Sequence, residues 1–315
     1  MTATIARTLG IDISKDRLDV HLLPEGTERQ YTNDAGGIGE LMLWLVPLMP
    51  ERIVYEATGA YHRQLERMLG AKGLPLVKMN PQHTHAFARA AGRLSKTDRI
   101  DAAMLARFGA LMVPDIRPLR SQALDVLCEL VAARRALVKD RTAALNRRKN
   151  LTIGLLKRQV DQRLKQISAQ IEAVDTECRN LVAAEVDLAR RLDILTSIPG
   201  LGEVTAFALI ADMPEIGSLA NKQAASLAGL APVDRQSGQW KGKSFIRGGR
   251  SWCRQALYMP ALVAIRFNQP LKIKYEALRE AGKPAKLAIT AIMRKLLILA
   301  NALIRDDRKW SPQMP

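Results

Sequence analysis

The chain predicts a mixed α/β domain followed by an all-helical remainder, and three observations carry that fold class. The first 112 residues alternate period-two apolar runs with period-3.6 runs in the order βββαβαβα. Residues 121–192 hold no proline and a single glycine, with apolar residues at helical spacing throughout. Past residue 193 a proline- and glycine-bearing turn feeds further apolar helical segments. With 315 residues, 48% of them hydrophobic, the three regions 1–112, 113–192 and 193–315 each have material for a core.

Taken in order, Thr8 to Ser14 (TLGIDIS) and Arg17 to Leu23 (RLDVHLL) read as two strands joined by the polar pair Lys15-Asp16, with a third strand around Glu28 to Asn33. A helix from Gly37 to Met49 follows, then a strand Arg52 to Tyr55, a helix from Tyr61 to Leu69, a strand Leu76 to Met79, and helices after Pro81 and from about Lys96. Three antiparallel strands followed by βα units make a mixed sheet with helices on its faces, which is the order of the RNase H-like fold. Farther on, Val160, Leu164, Ile167, Ile171, Val174, Cys178 and Leu181 step by four and three, the seam of a coiled coil or of a long helical hairpin. The stretch SIPGLGEVTA, residues 197–206, places two glycines and a proline ahead of a helix start, where free backbone N–H groups suit a phosphate. A polar, glycine-rich stretch within 227–264 then leads into an apolar helix, and a last helix spans about Ala285 to Ile304.

The charge bounds the partners. Against 31 Asp and Glu stand 48 Lys and Arg, a net +17 with a pI near 10.1, which favours a polyanion and most often nucleic acid. The longest apolar runs are too short or too interrupted to span a bilayer, and the N-terminus lacks a signal-peptide core, so the expected location is cytoplasmic, with no membrane partner. Three cysteines, Cys128, Cys178 and Cys253, far apart and never as CxxC, indicate neither disulfides nor structural zinc. The basic residues that bid for phosphate contact are Arg134, Arg135, Arg141, Arg147, Arg148 and Lys149 on the long helix, and Arg235, Lys241, Lys243, Arg247, Arg250 and Arg254 around the glycine-rich stretch.

Four acids break the apolar pattern. Asp12 sits between Ile11 and Ile13 in the first strand, facing away from both, and Glu56 ends the strand RIVYE at the edge where α/β sites gather. Asp98 and Asp101, three apart, share one face of the helix that closes the domain. Like-charged pairs at ~4 Å cost roughly 4 kcal/mol each at an effective dielectric near 20. A divalent cation removes that cost, and hard oxygens suit Mg²⁺ or Mn²⁺, two of which can serve both oxygens of a phosphodiester displacement. Asp16, Asp19, Asp34 and Asp125 read instead as helix caps or ion-pair partners. His83-Thr84-His85 follows Asn80-Pro81 and reads as a helix start rather than as nuclease machinery.

These motifs carry a resemblance. GIDISKDRLDV, YEATGAY, NPQHTHAFARA and KTDRIDAAMLA, then SIPGLGEVTAFALIA, LAGLAP, SGQWKGK and RQALYMPALVA, resemble the DEDD transposases of the insertion-sequence "one-ten" family, relatives of the Piv invertase, in order over nearly the whole chain. The C-terminal motif GKSFIRGGRSWCRQALYM is similar to its "eleven-eleven" branch. The resemblance implies a RuvC-like N-terminal domain with Asp12, Glu56, Asp98 and Asp101 as its acids, a coiled-coil connector and a C-terminal transposase domain. It further implies that Ser237 of SGQW matches the nucleophile, which cuts and rejoins DNA through a phosphoserine link, that a non-coding bridge RNA pairs with donor and target DNA, and that the protein works as a dimer of dimers in the nucleoid. Residue patterns alone leave Ser237 open, because Ser218, Ser226, Ser244 and Ser251 lie nearby and serine beside glycine is an ordinary turn residue. The alternative is a RuvC-like resolvase of Holliday junctions, in which the same acids direct hydrolysis.

Overall fold

The structure is a computed structural model that describes residues 7–56, 59–92, 98–116, 120–233, 236–237, 240–241 and 245–312, with backbone alone at 98–100, 236–237 and 240–241. The chain divides into two compact units, residues 1–120 and 121–315.

The first unit is a five-stranded sheet. β1 (Thr8–Ile13), β2 (Arg17–Leu23) and β3 (Thr27–Thr32) form an antiparallel meander, while β4 (Arg52–Glu56) and β5 (Leu76–Met79) add in parallel on the other side of β1, giving the order β3-β2-β1-β4-β5. Strand alternation sorts the two faces. Leu9, Ile11 and Ile13 pack with Ile53 and Tyr55 against Ile38, Leu41 and Leu45 of α1 (Ala35–Leu45) and Leu65 and Leu69 of α2 (Arg63–Ala71). The opposite face carries Val54, Val77 and Met79 against Phe87 of α3 (Pro81–Ala90) and Leu105 and Phe108 of α4 (Asp98–Met112). Asp34 caps α1 by accepting from Gly37 N at 2.9 Å, and Asn80 caps α3, with Pro81 in its first turn, by accepting from Gln82 N at 3.0 Å.

Gly10 sets the position of α4. A Cβ at Gly10 would sit 2.1 Å from the Ala102 carbonyl oxygen and 2.4 Å from Ala106 N, so the helix backbone rests directly on β1. Gly109 repeats the device from the helix side, where a Cβ would come within 2.6 Å of Thr8 Cγ2 and 2.5 Å of Val54 Cγ2. Since Gly109 covers the start of β1 and Ala102 its middle, α4 runs against the strand direction and its first turn arrives at the C-terminal ends of β1 and β4.

The second unit is helical. α5 (Gln122–Lys149) and α6 (Gly154–Ala184) form a long antiparallel hairpin, followed by α7 (Val186–Thr196), α8 (Glu203–Asp212) and α9 (Asn221–Leu227). Four two-residue strands come next: β6 (Pro232–Val233), β7 (Gln236–Ser237), β8 (Trp240–Lys241) and β9 (Phe245–Ile246). α10 (Ser251–Phe267), α11 (Gln269–Glu280) and α12 (Ala285–Arg305) complete the unit. The apolar seam expected from Val160 to Leu181 lies on α6 and packs within the chain as a hairpin, with Ile167, Ile171 and Cys178 buried and Val160 and Leu164 half-buried.

Leu124, Leu127 and Val131 of α5 and Cys178 and Val182 of α6 share one core with Leu209, Leu257, Ile292, Leu296 and Leu303. The two-helix seam is too narrow to bury these residues alone, so the base of the hairpin is completed by the C-terminal helices. α12, at 21 residues, is long and apolar enough to cross a membrane, but half of its most apolar stretch is buried as the centre of this core. Gly200 in the α7–α8 turn has φ +103° and lies so close to α10 that a Cβ would be 2.8 Å from the Pro260 carbonyl oxygen, giving the turn a packing role.

Candidate functional site

β1 and β4 place two of the expected acids side by side. The parallel register runs from Thr8 opposite Arg52 to Ile11 opposite Tyr55, so Asp12 and Glu56 come one step later, both on the α3/α4 face and both half-buried. The Gly10 contact brings the first turn of α4 to the same edge, with Asp101 half-buried immediately before Ala102, which touches β1 at Gly10. α4 begins at Asp98, whose side chain lies outside the described set. Among the described residues no three carboxylates, histidines or cysteines approach closely enough to hold one ion together. Glu56 is instead engaged by the hydroxyl of Thr84, a buried residue in the first turns of α3, which donates to its Oε1.

Thr84 is a residue that sequence reasoning missed. It was visible in the HTH triplet but counted there only as part of a helix start. The helix start is real, and what it adds is a buried hydroxyl aimed at the end of β4. Asp19 is a second correction. Among the described residues it neither caps a helix nor pairs with a cation; it is 5% exposed, stands directly opposite Asp12 in the antiparallel register, and accepts from Gln30 Nε2 at 2.8 Å. Facing pairs in a sheet share a face, which puts Asp19, Asp12 and Glu56 in one row across β2, β1 and β4. The signal was the alternation of RLDVHLL, in which Leu18, Val20 and Leu22 take the other face.

Ser237 lies in the second unit. β6 pairs with β9, and β7 with β8, as two antiparallel two-stranded pairs, the second setting Ser237 opposite Trp240. The side chains of Ser237 and Lys241 are outside the described set, as are Arg235 and Lys243 altogether.

Several expected phosphate contacts have partners inside the fold. Arg134 makes a bidentate pair with Asp175 across the hairpin, at 2.5 and 3.1 Å, with the two side chains only 21% and 11% exposed. Arg135 pairs with Asp212 and lies 5.0 Å from the centre of the half-exposed Trp252 ring. Arg148 pairs with Asp161 across the hairpin. Arg250 donates to both Glu215 oxygens, at 2.6 and 2.7 Å, and to the Asp212 carbonyl at 2.8 Å; burial works against its charge, but the Glu215 bonds together with the nearby charges of Glu215, Cys253 and Asp212 leave its pKa raised. Arg254 donates to the backbone carbonyls of Ala228 and Gly248, tying the turn after β9 to the end of α9. Arg147, Lys149 and Arg247 are exposed and Arg141 half-buried. Sequence could not separate the two groups, because an arginine's partner lies far away along the chain.

A mixed sheet with half-buried acids at one edge, in a chain of net charge +17, is what a protein acting on nucleic acid would carry. Residues 9–160 match the DEDD transposase model of IS110, and residues 192–276 the model described as transposase of the IS116/IS110/IS902 family. The pilin gene-inverting proteins of Moraxella lacunata and Moraxella bovis are each 32% identical over 97% of this chain and 98% of their own length. An uncharacterized 42 kDa protein of the insertion element IS900 of Mycobacterium paratuberculosis is 31% identical over 46% of this chain and 38% of its own. The chain belongs to the IS110 family of transposases. It is a DNA recombinase or transposase with DNA as its partner, and DEDD membership points to dependence on a divalent metal. The half-buried carboxylates of Asp12, Glu56 and Asp101 at one edge fit such a metal in donor chemistry, since hard oxygens are what a hard cation takes.

Proposed function

We propose that this transposase, of the family's "eleven-eleven" branch, cuts and rejoins DNA through a covalent phosphoserine intermediate at Ser237, with Asp12, Glu56, Asp98 and Asp101 of an RNase H-like domain as the acids that hold Mg²⁺ or Mn²⁺. The observation that carries this reading is the shared edge: Gly10 lets α4 rest on β1 and so delivers Asp101 to the ends of the strands bearing Asp12 and Glu56. The metal supplies charge neutralisation at the scissile phosphate and at the oxygen that leaves.

The chain's own residues supply the rest. The Ser237 hydroxyl gives up its proton to solvent water as it attacks phosphorus; a bond forms from Oγ to phosphorus and the ester bond to one bridging oxygen breaks. That oxygen leaves with the electron pair and takes up a proton. Attack by the hydroxyl of an exchanged strand reverses the step and frees the serine. The linkage is exchanged rather than hydrolysed, so no nucleotide cofactor is needed. Lys241, Lys243 and Arg235, near Ser237 in sequence, and the exposed Arg247 neutralise the phosphate.

A non-coding bridge RNA selects donor and target, and the exposed Arg147 and Lys149 at the far end of the hairpin, with the half-buried Arg141, are placed to meet nucleic acid. Around the same bend Leu145, Ile153 and Leu155 are 45–59% exposed, which favours self-association toward a dimer of dimers acting in the cytoplasm at the nucleoid.

The test incubates the protein with the RNA and DNA ends of its element and Mg²⁺ and resolves the products on a denaturing gel. A protein–DNA adduct is expected, absent in Ser237→Ala and in Asp12→Ala. Free nicked DNA with an active Ser237→Ala would mean hydrolysis by the acids alone and would end the serine reading.

A further inference from the structure

The first unit has an open cleft of about 510 Å³ at the edge of the sheet where the acids lie, and among the described residues its lining contains three cations and no acid. Lys15 comes from the β1–β2 turn, three residues past Asp12. Tyr61, Arg63, Gln64 and Arg67 come from the entry and first turns of α2, which follow Glu56 in the chain. Asn33 closes the wall between them. α2 packs on the opposite face from α3 and α4, so the cleft and the acid row flank the same strand ends from two sides.

Its walls are tied together. The Asn33 side-chain amide donates to the Ser14 carbonyl at 2.8 Å and to the Tyr61 carbonyl at 3.2 Å, linking the β1–β2 turn to the start of α2. Asn33 N also donates to the Asp16 carbonyl at 3.1 Å. Three cations are therefore presented from two anchored segments. The nearest acid on α2, Glu66, is occupied on the other side by Lys78 at 2.9 Å and His62 at 3.3 Å. Lys15, Arg63 and Arg67 are exposed, and the Tyr61 ring is 47% exposed among them.

We infer that this cleft is a binding site for the sugar-phosphate backbone of a single nucleic-acid strand, held by Lys15, Arg63 and Arg67 with one base stacked on Tyr61. Cations alone would suit any polyanion; an exposed aromatic ring between them is what a strand with an unpaired base requires. A strand that lies over the ends of β1 and β4 passes from the acid row into the cleft, so the site grips the nucleotides flanking the reacting phosphate. The inference extends the nuclease-like reading of that edge. It is tested by binding rather than cleavage, so the two can fail separately.

The experiment uses the full-length protein in EDTA with fluorescein-labelled single-stranded 20-mers, one of DNA and one of RNA, and follows anisotropy across a salt series. Each phosphate contact on a single strand contributes about 0.7 to the slope of log affinity against log salt. The triple variant Lys15→Gln, Arg63→Gln, Arg67→Gln should therefore lose about 2 in slope, and affinity should fall roughly 100-fold at 0.1 M salt. Tyr61→Ala should weaken binding by about tenfold at every salt concentration with the slope unchanged, because stacking carries no counterion release. A slope loss confined to the RNA or to the DNA arm assigns the strand to that polymer. A triple variant that melts like the parent and keeps its slope with both 20-mers overturns the site, whatever the cleavage assay gives.

Discussion

At Thr84 one hydroxyl stands between two acceptors. Its oxygen lies 3.0 Å from the Pro81 carbonyl in its own helix and within bonding reach of Glu56 Oε1. A carboxylate oxygen is a stronger acceptor than a backbone carbonyl, so the hydroxyl donates to Glu56 and helps fix the orientation of that carboxylate. Thr84→Val keeps the shape and removes the donor. The expected result is a stability loss of about 1 kcal/mol by urea denaturation and a fall in metal-dependent cleavage of about 10- to 100-fold. Thr84→Ser should restore most of the activity, which a purely steric role would not predict. Glu56 itself was legible as an acid closing an apolar strand. Thr84 was not, because its partner is 28 residues away and the local helix-start pattern accounts fully for its residue type.

Among the elements, α4 on β1 decides the site. A helix resting on a strand at backbone contact needs glycine on the strand, and Gly10 fills that need with no special dihedral, only the absence of a Cβ. In Gly10→Ala the methyl meets helix backbone at Ala102 and Ala106, which cannot rotate away as a side chain would. The helix must lift, at a cost of about 1–3 kcal/mol, and Asp101 moves with it. Cleavage should fall more steeply than stability, measured as adduct formation at a temperature where denaturation shows the variant still folded. Equal losses in both would place α4's role in stability alone. The elements themselves appear in the expected order, since period-two and period-3.6 patterns report which face is buried. The hairpin seam was equally legible, but whether it pairs within or between chains was not, because the same apolar stripe serves either partner. The cross-hairpin pair of Arg134 with Asp175 belongs to the intramolecular arrangement.

For the whole molecule, the division at residues 120 and 121 carries a prediction. The second unit has its own core, running from Leu124 through Val182 to Leu303. A fragment of residues 121–315 should unfold in one cooperative transition by circular dichroism and still bind DNA through its exposed cations, with cleavage undetectable because the acid edge is left behind. Non-cooperative melting of the fragment would mean that residues 113–192 and 193–315 do not share one core. The net charge of +17 named a polyanionic partner in advance, because a sum over residues does not depend on the fold. Which charges face that partner does depend on it.

By itself the sequence determined the order of strands and helices in the first unit, the acids that interrupt its apolar faces and the class of partner, because periodicity and charge are local or additive properties. Only the tertiary structure decided that Asp19 lines up with Asp12 and Glu56, that Thr84 holds Glu56, and that Arg134 and Arg250 bind carboxylates within the chain. Each of those depends on strand register or on a close approach between segments distant along the chain. No short window of residues encodes either, because both arise from how whole faces pack.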